Sequence, residues 1–234
     1  MSYFSNVEEV SLAGAGCGLD CKCGPCKSGL SGSHEWRGRP WPLSLGEPAT
    51  KKFVRDQIRF IDAVVTGVTR NKRLEISYQR KGPMPDDKRV QIFNRFFAPM
   101  LKHTLGIKLM MEINQGNHTV EIAWHNGKFG FTGTIAVDRA AALDGRGSAS
   151  VIFIDEEAAG WKRLPTIVNN PDIGLFHELL HALRIQQGTN VDNEAEIERQ
   201  VIGIGKYSNA KRTENAYRDA KGLQLRCCWN RETL

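Results

Sequence analysis

The sequence predicts an α+β domain, and three observations carry that prediction. Apolar residues recur at helical spacing in two early segments, alternate at strand spacing in a middle block, and return to helical spacing in the last third. The resulting order is helix, helix, small antiparallel sheet, helix, helix, with no internal repeat. At 234 residues, 41% apolar and 25% charged, the chain has the composition of a soluble globular protein with room for one sizeable domain plus an appendage. No apolar run approaches the roughly 18–20 residues of a membrane span.

Residues 1–50 are that appendage. They combine Gly, Ser and Pro with four of the six cysteines, and such a composition buries no continuous core, so a mostly irregular leader is expected. It begins Met1-Ser-Tyr-Phe-Ser-Asn-Val-Glu-Glu-Val, without the basic start and apolar core of a secretory signal peptide. Cys17, Cys21, Cys23 and Cys26 lie close enough to grip a soft metal, to pair as disulfides, or to stay as reduced thiols in a flexible segment. The longer loop that separates two ligand pairs in most structural zinc sites is missing, and the three states stay open. Cys227 and Cys228 are adjacent near the other end.

The main domain is expected over 51–234. Phe53, Ile58, Ile61, Val64, Val65 and Val68 mark an amphipathic helix to about Arg70, and Leu74–Gln79 reads as a strand. After a Gly-Pro loop, a second helix spans about Lys88–Ala98 with Ile92, Phe93, Phe96 and Phe97 inward, ended or kinked by Pro99. Leu109–Asn114, Thr119–Trp124 and Phe129–Val137 alternate like strands, with Asn126-Gly127 as a tight turn between the last two. Val151–Ile154 is another strand, and Asp155-Glu-Glu157 behind it is a solvated loop. Asn170-Pro171-Asp172 signals the start of a helix over about 173–186, ending before Gly188, and another helix begins near Asp192.

The helix at 173–186 holds the chemistry. Gly174-Leu-Phe-His-Glu-Leu-Leu-His-Ala-Leu183 contains His-Glu-x-x-His among apolar neighbours. Four residues are about 1.1 turns, so His177 and His181 project from one face and can share a Zn²⁺ at roughly 2.0–2.1 Å per nitrogen. Glu178 sits about 100° around the helix, placed to reach a water at the metal as a general base. Such a helix, packed on a small antiparallel sheet and followed by a ligand helix, is zincin-like. The extended metzincin motif is absent, because Arg184 and Gln187 stand where its Gly and third His belong. The third ligand is then sought in Asn193–Gly203. With Ile197, Val201 and Ile204 on the buried face, Glu194 and Glu198 share one flank, and Glu196 lies on the opposite, solvent-facing one. One of the first two is the ligand, and the other is a candidate acceptor for a His N–H.

Three segments, His177-Glu-Leu-Leu-His-Ala-Leu183, Glu198-Arg-Gln-Val-Ile-Gly203 and Thr213-Glu-Asn-Ala-Tyr-Arg218, resemble the NleD-like zinc metallopeptidases that bacterial pathogens deliver through type III secretion. The resemblance covers about residues 145–226. It departs at Val201, where the family pattern has Thr, and in the Cys-rich leader. Matching Gly203 to the family's glycine implies Glu198 as the third ligand, giving a metal set of His177, His181 and Glu198 with Glu178 catalytic. It further implies Zn²⁺, a protein substrate among host signalling proteins with MAP kinases the foremost, and delivery into the host cytoplasm, as against a cytoplasmic location. The tetrahedral oxyanion needs a donor, for which Tyr207, Arg212, Tyr217 and Arg218 stand as candidates. Two other functions compete with the zinc endopeptidase: a non-enzymatic metal-binding effector or adaptor, and a toxin peptidase acting on bacterial proteins. The net charge of +6 is spread among acids, which points to a solvated basic surface or an acidic protein partner and away from nucleic acid.

Overall fold

Where the chain alternates Leu, Ile, Val and Trp with small or polar residues, it forms strands. The computed structural model describes residues 74–78, 86–125, 131–157 and 169–226; the leader, its cysteines, the expected helix to Arg70, and Cys227 and Cys228 lie outside them. Strands β1 (Leu74–Tyr78), β2 (Val120–His125), β3 (Gly133–Ala136) and β4 (Ser150–Asp155) form one sheet in the order β1-β2-β4-β3. Leu74, Val120, Ile122, Trp124, Ile152 and Ile154 are all buried, the period-two pattern of one covered face.

The sheet is mixed, not antiparallel as expected. β1, β2 and β4 run parallel, and β3 alone is antiparallel, paired to β4 through Thr134↔Ile152 and Ile135↔Val151. Asn126-Gly127 therefore joins no hairpin, since β4 lies between β2 and β3, and those two residues fall outside the described set. The hidden clue was β2 itself, which is buried at five of its six positions. Near-continuous burial is the mark of a central parallel strand, not of a hairpin arm.

Helices α1 (Asp86–Ile92) and α2 (Ala98–Leu101) are joined by a π-helical turn, Phe93–Phe97. Pro99 does not stop the chain. The wide turn closes when the Ala98 N–H bonds the Phe93 carbonyl, just before the residue that has no N–H to give. Phe96 and Phe97 are buried as expected, Phe93 only partly, and Phe96 meets Trp124 edge to face at 4.6 Å.

The expected strand Leu109–Asn114 is instead part of α3 (Thr104–Gln115). Its buried residues, Gly106, Ile107, Leu109, Met110 and Ile113, follow the i, i+3, i+4 rule over twelve residues, a period that a six-residue window cannot separate from alternation. A short helix α4 (Arg139–Leu143) precedes β4. The central helix α5 (Pro171–Gln187) packs against β3, β4 and α3, and is buried nearly all round. Pro171 occupies its first turn, and Gly188 ends it at φ 67°. Helices α6 (Glu194–Ile202) and α7 (Glu214–Ala220) close over one side of α5. Among the described residues no helix is long and apolar enough to cross a membrane.

Candidate metal centre

The apolar face of α5 carries the two imidazoles to one spot, and α6 brings a carboxylate to meet them. His181 Nε2 lies 3.0 Å from His177 Nε2 and 3.1 Å from Glu198 Oε1, and His177 Nε2 is 3.4 Å from Glu198 Oε2. Ligand bonds of about 2.0–2.1 Å at tetrahedral angles place neighbouring donors roughly 3.3–3.4 Å apart. The three side chains thus approach one another closely enough to share one ion, and a set of two imidazoles and one carboxylate fits a borderline metal with a further position left for solvent. Among the described residues this is the one group of three or more His, Cys, Asp or Glu side chains gathered closely enough to hold an ion.

The approach of α6 rests on its ends. The Asn193 side chain accepts from the Glu196 N–H to start the helix, and Gly203 stops it at φ 84°. A Cβ at Gly203 would stand 2.5 Å from Thr213 Oγ1, so only glycine lets Thr213 sit there. Thr213 in turn caps α7 by accepting from the Ala216 N–H, and Glu214 follows as that helix's first residue. The glycine after α6 thereby decides where Glu214 falls.

Glu214 is the functional residue that the register argument missed. Its Oε2 is 2.8 Å from His177 Nδ1 and 2.9 Å from Arg226 Nη1, and its Oε1 accepts from Arg218 Nε at 2.6 Å. Glu214, Arg218 and Arg226 are all buried. With Nδ1 held on Glu214, the ring of His177 is oriented so that Nε2 faces the other two side chains. Burial alone would raise the Glu214 carboxyl, but Arg226, His177 and Arg218 outweigh it and hold the group down to about 2. Burial likewise disfavours a charged His177, yet Glu198 and Glu214 override it and push the imidazole up to about 10 in the metal-free protein. Glu198, raised by burial, is brought well below the usual carboxylate range by the two histidines. The sequence held one clue to Glu214: a Thr N-cap, then Glu and Arg at i, i+4.

The remaining expectations divide. Glu198, not Glu194, joins the histidines; Glu194 is exposed and orients no imidazole, a task Glu214 has instead. Glu196 is on the flank opposite the site, as expected, but it is not free in solvent. It accepts from Tyr207 at 2.5 Å and pairs with Lys206 at 2.6 Å. Each of the four oxyanion candidates has a partner in this arrangement. Tyr207 is committed to Glu196 and Arg212 to Glu112. Tyr217 is buried, stacked on Phe176 at 4.2 Å and donating to Asp172 at 2.6 Å, and Arg218 is buried on Glu214. Of the acidic run Asp155-Glu-Glu157, only Glu157 is exposed as expected. Asp155 is buried, and Glu156 accepts from Trp124 Nε1 and pairs with Lys88 and Arg95.

Glu178 is buried beside its ligand neighbour, and its Oε2 accepts from Thr134 Oγ1 of β3 at 2.8 Å. The carboxylate next to His177 on the helix is therefore tied to the edge strand β3. No family model, curated protein or solved structure matches the chain.

Proposed function

We propose that the protein is a zinc-dependent endopeptidase of zincin-like build. The observation that carries this reading is the convergence of His177, His181 and Glu198, with the buried, hydrogen-bonded Glu178 next to them on the same helix. A purely structural site has no need of that carboxylate. When bound, the zinc polarises the scissile carbonyl and lowers the pKa of the attacking water toward ~7. Glu178 takes the water's proton and hands it to the leaving amine, which becomes a better leaving group as it is protonated. Glu214 accepts the Nδ1 proton of His177 and so orients the ring with Nε2 toward the metal position.

Strand β3 suits an extended peptide. It is the last strand of the sheet, with β4 on one side and no strand on the other among the described residues. Thr134 points toward Glu178, so a peptide paired along the free edge runs past the base. Ile135 and Val137 are exposed beside it and offer apolar surface to substrate side chains. Such pairing requires a flexible target segment. The sequence resemblance extends the proposal to a bacterial effector delivered by type III secretion into the host cytoplasm, cutting host signalling proteins in exposed loops, with MAP kinase activation loops the first to test.

The test is mapping of new protein N-termini in host cells expressing the wild type or Glu178→Ala, followed by incubation of purified MAP kinases with each. New termini that need Glu178 support the peptidase. Their absence from cells holding folded, zinc-loaded wild type overturns it, while intact kinases beside other cleaved proteins overturn only the substrate.

A further inference from the structure

We propose that Thr134 is a positioning residue for Glu178, so that the edge strand sets the orientation of the base. The Thr134 hydroxyl has one proton and two acceptors within reach on the same residue: Glu178 Oε2 at 2.8 Å and the Glu178 carbonyl at 3.1 Å. The carboxylate is the closer and carries the charge, so it takes the proton in the stronger, charge-assisted bond. Among the described residues no other group hydrogen-bonds this carboxylate, which leaves its terminal torsion governed by Thr134 and Oε1 without a protein partner. A terminal carboxylate torsion is otherwise broad, and an unheld Glu178 would sample orientations that do not face the ligand cluster.

The register explains why the contact exists. Thr134 pairs with Ile152, which is fully buried, so both side chains point to the helix side of the sheet, while Ile135 points to the other. A one-residue slip of β3 would carry the hydroxyl away from Glu178 and put Ile135 or Gly133 in its place. Position 134 is the one in β3 that pairs a helix-facing side chain with a hydroxyl aimed at the base. A peptide that pairs with the free edge of β3 therefore stiffens the strand that holds the base, and binding is coupled to the readiness of Glu178. For its purpose the proposal rests on the peptidase reading; the geometry is independent of it.

A test that needs no substrate uses the full chain loaded with Co²⁺ and titrated with acetohydroxamate, followed by the visible bands of the metal. A hydroxamate chelates the ion while its hydroxyl hydrogen-bonds the neighbouring carboxylate, so its affinity reports where that carboxylate points. Thr134→Val should weaken binding about tenfold, the scale of one hydrogen bond to a charged group, at unchanged cobalt content. Thr134→Ser, which restores only the hydroxyl, should return to within about twofold of wild type. Should valine disturb the fold, Thr134→Ala against Thr134→Ser gives the same contrast. Equal affinity in wild type and the hydroxyl-free variant would overturn the proposal, as would a serine variant as weak as valine. A cobalt-loaded wild type that binds no hydroxamate would overturn it too, because Glu178 would then not face the metal. Hydroxyl-dependent binding in a protein that cleaves nothing would leave the positioning role standing and remove the peptidase.

Discussion

Replacing Glu214 with glutamine removes one charge from the most buried ionic group near the candidate metal centre, and its effect can be worked out. The carboxyl is held at about 2 against an ordinary 4.5, because Arg226, His177 and Arg218 together overcome a burial that would raise it. That gap, at ~1.4 kcal/mol per factor of ten in proton affinity, amounts to about 3 kcal/mol. Solvent screening takes little from it, since the side chains of Glu214, Arg218 and Arg226 are 1%, 0% and 6% exposed. The figure meets the ~3–5 kcal/mol expected when a buried ion pair loses one partner. Glu214→Gln should therefore lower the melting temperature of the metal-free protein by about 6–12 °C for a chain of this size. It should also weaken zinc binding ~10–100-fold, because the amide orients His177 less firmly.

The pH dependence has a definite sign. A carboxyl depressed in the folded state contributes stability that is present above 4.5 and lost as pH falls through about 2. The wild type's advantage over Glu214→Gln should thus be whole at neutral pH and about half as large near pH 3. Urea unfolding of both proteins at pH 7, 5 and 3 measures it. The double variant Glu214→Gln/Arg226→Gln should recover part of the stability, since one cation no longer lacks its carboxylate, yet none of the zinc affinity. A single variant that melts with the wild type and holds zinc as tightly would refute the reasoning.

Other outcomes follow from the same geometry. Glu198→Ala should reduce zinc from about one per chain to near zero by elemental analysis, whereas Glu194→Ala should leave it intact because that residue is exposed and outside the cluster; loss of metal from the Glu194 variant alone would reverse the ligand assignment. His177, held up to about 10 in the metal-free protein, must shed its Nε2 proton to bind, so zinc uptake at pH 7 should release about one proton per chain. Calorimetry in buffers of different ionisation enthalpy counts it. The affinity should rise about tenfold per pH unit until the pH reaches about 10, and a pH-independent affinity would contradict the imidazolium.

The sequence made the helix face legible because His177, Glu178 and His181 lie within one and a half turns, where spacing alone fixes geometry. Glu198 was reachable by the same logic combined with the resemblance at Gly203. What stayed hidden depended on partners distant in sequence. Glu214 is 37 residues beyond His177, and Thr134 is 44 before Glu178, so neither contact has a local signature. The parallel order of β1, β2 and β4 was hidden because Asn126-Gly127 suggests a hairpin between neighbouring strands, whereas β4 lies between β2 and β3. Glu156 looked like a surface acid because nothing near it in sequence announces Trp124, Lys88 and Arg95.

Asn215 grips the backbone of Arg226 from both sides, donating to its carbonyl and accepting from its N–H, each at 2.8 Å. Arg226 then reaches Glu214, and Glu214 reaches His177. During synthesis the two histidines leave the ribosome long before that clasp can form, because the chain is made from the other end. A nascent chain paused near residue 200 carries all three donors without the charge network that settles His177. The centre thus matures only after Arg226 has emerged. A truncation before Arg226 should leave the three metal-site side chains present yet poorly held.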